Sequence, residues 1–310
     1  MPFQNILPDP NNTIDSAGKA SSTGAGPGFA SVNITSKNQI MNQRTNSGRM
    51  ISRSVSGQSW EVAITYNPLT RTQFDPLYSF LLQKQGRLTP FFLSLPQNKV
   101  PQSSAFAKTV RPTTEAVGGV NGDGVTIKAV QTPVDDGDMV VGQQYIIVSP
   151  GTSNFQASGA TANTQNTIFT ATDPGDSTKT GTVRATYSPT GQDNILMSAT
   201  TYASSSMGAP TPGDFFTVSD SSDSNHTKMY QVVRVETSSS NVFSVPSDGT
   251  NTETARVWIS PALQRNLYDD ATLVFHNPLM RVLLSSDVQQ YSLNNKNLYN
   301  FSLKLQEAQK

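Results

Sequence analysis

A change of hydrophobic period across residues 60–96, from two to 3.6 and back to two, constrains this chain more than any other feature. Trp60, Val62, Ile64 and Tyr66 alternate with Glu61, Ala63 and Thr65, the pattern of a strand with one buried face. From Phe74 the apolar residues recur as Phe74, Leu77, Tyr78 and Leu81, which lines one side of a helix. Thr70 and Gln73 have capping-box spacing, and Gly86 supplies a stop. Pro76 is tolerated by falling in the first turn or so. Phe91, Phe92, Leu93 and Leu95 then resume a strand that Pro96 ends. A helix with one apolar face needs a sheet to cover. With no catalytic signature beside it, the block has the shape of an assembly module.

The sheet partners come from elsewhere in the chain. Tyr299, Phe301, Leu303 and Leu305 alternate with Asn300, Ser302, Lys304 and Gln306, a clean two-sided strand expected to pair with the one begun at Trp60. Residues 51–105 and 259–310 then form one split core domain. Between them, short apolar runs are separated by dense Gly, Ser, Thr and Pro, as in small β-barrels and sandwiches. Residues 106–133 with 189–258 are assigned to an inserted β-barrel-like domain, and 134–188 to a β-module nested in it. The Asn-, Ser- and Gly-rich residues 1–50 read as an arm or loop with a short strand at 30–34.

Composition narrows the function. The 22 basic residues balance 22 acidic ones, and only 14% of the chain is charged. Neutrality argues against a nucleic-acid or anionic-membrane partner found by electrostatic steering, and it removes one protection against self-association. The absence of cysteine excludes disulfides, thiolate metal sites and cysteine nucleophiles. The start, MPFQNILPDPNNT, has neither the basic region nor the apolar core of a signal peptide. No apolar run approaches the roughly 20 residues that span a bilayer as a helix.

Candidate chemical sites resolve into turns. His226 follows Asp220 and Asp223 in a serine-rich stretch without zinc-ligand spacing, which reads as a solvated turn. His276 precedes Asn277 and Pro278 and reads the same way. Asp135, Asp136 and Asp138 lack the further oxygen ligands and terminal Glu of a calcium loop. The run from Gly118 to Gly124 lacks the Lys-Ser/Thr of a phosphate loop. Trp60 and Trp258 are expected in cores. No nucleophile, base or metal constellation emerges, so the reading is a non-enzyme with no cofactor.

The block at 59–96 resembles tailed-bacteriophage tail-tip proteins of the distal-tail and minor-tail type. The resemblance rests on the aromatic-led strand WEVAITY, the helix motif F-x-x-L-Y-x-F-L followed by Gly86, and Phe91-Phe92 with Pro96. Pro212-Gly213-Asp214-Phe215-Phe216-Thr217-Val218, Lys228-Met229-Tyr230-Gln231-Val232 and Trp258-Ile259-Ser260-Pro261-Ala262-Leu263 are similar to a small β-domain inserted in such proteins. The ending Asp287-Val288-Gln289-Gln290-Tyr291-Ser292, followed by a last strand, also fits the family pattern, and residues 141–172 resemble a β-module of virion proteins. Residues 1–50 do not match the pattern.

The resemblance implies a mainly β protein with a discontinuous tail-tube-like β-sandwich core, one flanking helix, an inserted small β-barrel and a nested β-module. It implies a structural virion component, assembled in the host cytoplasm and placed in the phage tail tip. There it forms a ring of six copies that continues the tail tube, contacting the tube protein and hub or fibre proteins. Trp60, Tyr66, Phe74, Leu77, Tyr78, Leu81, Gly86, Phe91, Phe92, Pro96, Tyr299 and Phe301 are the core and assembly candidates. The alternative is a carbohydrate- or receptor-binding adhesion module, in which exposed Tyr and Asn of the nested module stack on a host-surface glycan.

Overall fold

The computed structural model describes residues 5–10, 13–14, 20–21, 26–54, 57–199, 208–237 and 254–309. These are mainly β, with two α-helices, Arg71–Gln83 and Ser104–Val110. None of the described helices is long and apolar enough to cross a membrane. The chain divides into two compact units. The first is Met1–Pro96 with Thr227–Met229 and Leu279–Lys310, and the second is Gln97–His226 with Tyr230–Pro278.

The first unit is built on an antiparallel sheet in the order Phe29–Lys37, Ser59–Tyr66, Tyr299–Glu307, Leu279–Leu284, Phe91–Ser94. Register places Ile64 opposite Leu303 and Val62 opposite Leu305. A period of two therefore sends Trp60, Val62, Ile64, Tyr66, Phe301, Leu303 and Leu305 to one buried face. The helix covers that face with Phe74, Leu77, Phe80 and Leu81. Phe74 stacks on Tyr299 with centroids 4.3 Å apart, and Phe80 meets Phe91 edge-on at 5.5 Å. Each such fully buried side chain is worth about 1.5–3 kcal/mol.

Local signals set the helix ends. The Thr70 N–H donates to Gln73 Oε1 at 3.1 Å, and Gln85 and Gly86 turn the chain away with φ of 53° and 65°. Pro76 sits five residues after Arg71, in the second turn rather than the first. The carbonyl of Thr72 loses its helical partner there, and Thr72 is exposed, so water can satisfy it.

The first unit's bounds differ from the sequence expectation. It stops at Pro96 and resumes at Leu279, and it takes in the N-terminal residues set apart as an arm. Pairing explains both. Phe29–Lys37 runs beside Ser59–Tyr66 over its whole length, well past residues 30–34. The Leu7 N–H donates to the Phe92 carbonyl and the Phe92 N–H to the Asn5 carbonyl, both at 2.8 Å, closing the Phe91–Ser94 margin.

The expected loop at 38–50 is also replaced by structure. Ile40–Arg44 and Met50–Ser54 pair as a hairpin that prolongs the two strands meeting at Lys37 and Ser59. Its turn is closed by the Thr45 N–H to the Arg49 carbonyl at 2.9 Å, with Gly48 at φ 83°.

The second unit holds a closed barrel of Ile127–Val130, Asn194–Ala199, Thr254–Ser260, Met229–Thr237, Phe215–Ser219 and Thr272–Val274. Phe106 from the Ser104–Val110 helix plugs it, 5.0 Å edge-on from Phe275. A separate four-stranded sheet, Pro133–Asp135, Thr182–Ala185, Gln144–Ser149, Ile168–Thr170, has its own core of Met139, Tyr145, Ile147, Phe155, Phe169 and Val183.

Candidate functional site

Five of the sequence candidates converge on one aromatic knot in the first unit. Phe74 is its centre. Around it stand Tyr299, Tyr78 at 5.2 Å, Phe301 edge-on at 5.6 Å, and Tyr291 at 4.9 Å. Tyr66 joins through Phe301 at 6.0 Å and meets Phe29 edge-on at 5.3 Å. The helix contributes Phe74 and Tyr78 one turn apart, and the sheet contributes alternate positions of neighbouring strands. Three tyrosines reach outward from the knot: Tyr78 and Tyr299 are half-buried, and Tyr291 is 48% exposed.

The Tyr66 hydroxyl is buried and finds no hydrogen-bond partner among the described residues. Burial, reinforced by the negative charge of Asp9, holds its pKa well above the ordinary tyrosine value of 10.0.

Trp60 lies at the other end of its strand, in a polar node. The Glu307 carboxylate accepts from the Trp60 N–H at 3.2 Å, the Met229 N–H at 3.1 Å and the Lys228 ammonium. Lys228 also donates to the carbonyl of Gln58 at 2.8 Å and its side-chain oxygen at 3.1 Å. The Trp60 indole N–H donates to the Met229 carbonyl at 3.0 Å. Burial lowers the Lys228 pKa, and the attraction of Glu307 opposes that shift. The node ties Thr227–Met229 to the sheet; it is structural chemistry.

The remaining candidates serve packing. Leu77, Leu81 and Phe91 are buried, Phe92 is half-buried with its backbone bonded to the N-terminal segment, and Pro96 starts a 3-10 turn. Gly86 abuts Asp287, whose Oδ1 would lie 2.8 Å from an added Cβ.

Both histidines are corrected by the second unit. His226 is buried rather than solvated, its Nε2 2.8 Å from the Tyr230 hydroxyl, which accepts from the Gln264 N–H at 3.1 Å. Burial lowers its pKa against the opposing pull of Asp223 and Asp220. His276 is more than a turn residue. Its Nε2 lies 2.6 Å from Glu115 Oε2, while Lys99 donates to Oε1 at 2.6 Å. That bond to Lys99, with a smaller contribution from His276, lowers the Glu115 pKa against partial burial. The trio stands beside a cleft of about 310 Å³ walled by Val110, Val125, Ile127, Leu273 and Phe275. The Glu115 carboxylate thus holds Nε2, while Nδ1 is buried without a hydrogen-bond partner among the described residues.

Trp258 is also corrected: it is half-buried on the outside of its strand, under the Arg234 guanidinium at 4.5 Å. In the nested sheet Tyr145 is buried, its hydroxyl accepting from the Val140 N–H at 2.9 Å, so it offers no platform for a sugar. Asp135, Asp136 and Asp138 form a turn in which Asp136 accepts from the Asp176 N–H at 3.0 Å. No group of three or more metal-ligating side chains stands together among the described residues.

Sequence reasoning left Phe80 of the helix motif out of the core candidates, and it missed Phe29, the roles of Lys228 and Glu307, and the hairpin. The period that marks Phe74, Leu77 and Leu81 also reaches Phe80, and Asn46-Ser47-Gly48 is a hairpin-turn signal between two short β-runs. Nothing in the sequence announces the pairing of Lys228 with Glu307. The chain matches no known family and no curated protein.

Proposed function

We propose that the protein is a structural component of a tailed-phage tail tip, forming a ring that continues the tail tube and carries hub or fibre proteins. The observation that carries this reading is the asymmetry of the first unit's sheet. One margin is closed by Asn5–Leu7, whereas the nine-residue strand Phe29–Lys37 at the other margin pairs on one side only among the described residues. A long open margin is a template for another strand. When a second copy supplies that strand from another part of its surface, the contact is head-to-tail, and it closes into a ring if the rotation permits.

In this reading the sheet and its helix are the tube-like core of a sandwich-type wall, and six copies complete the ring. The barrel and the nested sheet are additions directed to neighbouring tail proteins. The mechanism is geometric, requiring no cofactor and no reaction. Negative-stain microscopy of the purified full chain, with class averages and antibody labelling of virions, tests it. Rings of one rotational symmetry and label at the tail tip are expected. A protein that stays monomeric and is absent from tail tips sinks the reading.

A further inference from the structure

The charge neutrality of the chain is the sum of two strong imbalances. Unit 1 holds 13 Lys and Arg against 6 Asp and Glu, and unit 2 holds 9 against 16, formal balances of +7 and −7. Steering by charge, set aside on the total, applies to each unit separately.

The positive imbalance is concentrated on the hairpin Ile40–Arg44/Met50–Ser54. Arg44, Arg49 and Arg53 are exposed and form no ion pair within 4 Å among the described residues, and 38–54 contains no acid. The same hairpin exposes Ile40 at 57%, Met41 at 64%, Met50 at 61% and Ile51 at 52%. Register puts Met41 opposite Arg53 and Arg44 opposite Met50, so both faces mix cation with apolar surface, and neither face is covered among the described residues. A two-stranded hairpin with two wet faces is marginal in water by itself, and exposed aliphatics gathered on one element mark an interaction surface.

A matching surface exists on the same chain. In unit 2, Asp135, Asp138 and Asp176 are exposed and form no ion pair among the described residues. The Asp138 N–H donates to the Asp135 carbonyl at 3.0 Å, the Met139 N–H to the Pro174 carbonyl at 3.2 Å, and the Asp176 N–H to the Asp136 carboxylate. These bonds gather the three acids into one lip, and exposed Val140 and Val141 continue it. The lip is firm: Met139 is buried, and Gly142 N–H donates to the Ala171 carbonyl at 2.8 Å.

We propose that the hairpin of one copy docks on the Asp135–Asp138–Asp176 lip and Val140–Val141 of a second copy. Three unpaired arginines meet three aspartates without ion pairs, and four exposed aliphatics of the hairpin meet the valines. A nucleic acid would use the arginines but leave Ile40, Met41, Met50 and Ile51 in water, which makes it the poorer occupant. The contact is heterologous, since each copy offers a hairpin and a lip. It deepens the ring reading by naming a self-contact. The salt-dependent mass tests the contact and imaging of tail tips tests the ring, so either can fail alone.

The test is sedimentation velocity of the full chain at about 0.1 M and about 1 M NaCl, where charges are screened beyond about 10 Å and 3 Å. Self-association that weakens at least about tenfold in high salt is expected. One variant carries Arg44→Glu, Arg49→Glu and Arg53→Glu; another carries Asp135→Lys and Asp138→Lys. Each should be monomeric at low salt with an unchanged melting transition, and the equimolar mixture should associate again, because each reversed surface finds its complement on the other variant. A wild-type chain that remains monomeric up to about 100 μM at low salt overturns the proposal. So does association that persists in both variants, or a mixture that stays monomeric. Duplex DNA retained by the wild type and released by the arginine variant, with self-association unaltered, would assign the hairpin to nucleic acid instead.

Discussion

Lys228 and Glu307, 79 residues apart in the chain, form an ion pair with both side chains out of contact with water. A buried pair of this kind is weak evidence for stability by itself, because desolvating two ions offsets much of their attraction. Here all three ammonium protons and both carboxylate oxygens are engaged. Glu307 also takes the N–H groups of Trp60 and Met229, and Lys228 takes two oxygens of Gln58. What the pair secures is position: Thr227–Met229 belongs to the first unit through it.

Removing one partner should therefore cost more than removing both. Lys228→Met leaves Glu307 buried and uncompensated, an expected loss of about 3–5 kcal/mol. Lys228→Met with Glu307→Leu should lie closer to wild type. Urea unfolding followed by tryptophan fluorescence measures both, and equal losses in the single and double variants would contradict the argument.

Tyr66 gives the alkaline limb of the stability curve its sign. Its folded pKa is raised above the unfolded value of 10.0, so the folded state keeps a proton that the unfolded chain releases. The stabilisation is present below pH 10 and is lost as pH rises above it toward the folded pKa. Tyr66→Phe should flatten that loss. At neutral pH it should cost little or stabilise slightly, because it deletes a buried hydroxyl without a hydrogen-bond partner among the described residues. Denaturant midpoints at pH 8 to 11 for the two proteins check this.

Phe74 should be the costliest truncation in the aromatic knot. It touches Tyr78, Tyr291, Tyr299 and Phe301 and is itself buried, so Phe74→Ala removes packing on every side, about 3–5 kcal/mol. Tyr291→Ala, at the exposed rim of the same cluster, should cost less than half as much. Thermal and urea unfolding of the two variants gives the ratio.

Where the sequence was legible, periodicity and burial agree. Trp60 to Tyr66, Phe74 to Leu81 and Tyr299 to Leu305 each bury one face in water-exposed surroundings, so a period of 2 or 3.6 is written into the residues themselves. The hairpin escaped because both its faces are wet, which leaves no alternation to read. His226 escaped for a different reason. Its neighbours Asp220, Ser221, Ser222, Asp223, Ser224 and Asn225 are turn formers, and the turn they make folds back on itself. The imidazole is thereby delivered under Tyr230, a contact set by the barrel and not by the local sequence. The Lys228–Glu307 node belongs to the same class, since long-range pairs leave no trace in local spacing.

His226 should titrate below the ordinary histidine range. Its folded pKa lies under 6.5, so as pH falls below 6.5 the unfolded chain binds the proton first and stability declines until the folded pKa is reached. The slope from one group is at most about 1.4 kcal/mol per pH unit. With only two histidines in the chain, ring-proton NMR resolves both titrations, and His276→Gln assigns them. A His226 midpoint at or above 6.5 would show that Asp220 and Asp223 outweigh burial.

Gly86 is the position at which backbone geometry and packing act together. Its φ is 65°, and an added Cβ would lie 2.8 Å from Asp287 Oδ1 and 3.2 Å from Asp287 Cα. The carboxylate is held there because it accepts from the Arg87 N–H at 3.1 Å. Gly86→Ala should therefore cost more than the roughly 1–2 kcal/mol of a left-handed alanine alone. Asp287→Ala removes the flexible part of the clash and leaves the strained φ and the close Cα. In a double-mutant cycle the Gly86→Ala penalty should shrink in the Asp287→Ala background without vanishing. An unchanged penalty would assign the whole cost to the backbone, and a vanished one would assign it all to the carboxylate.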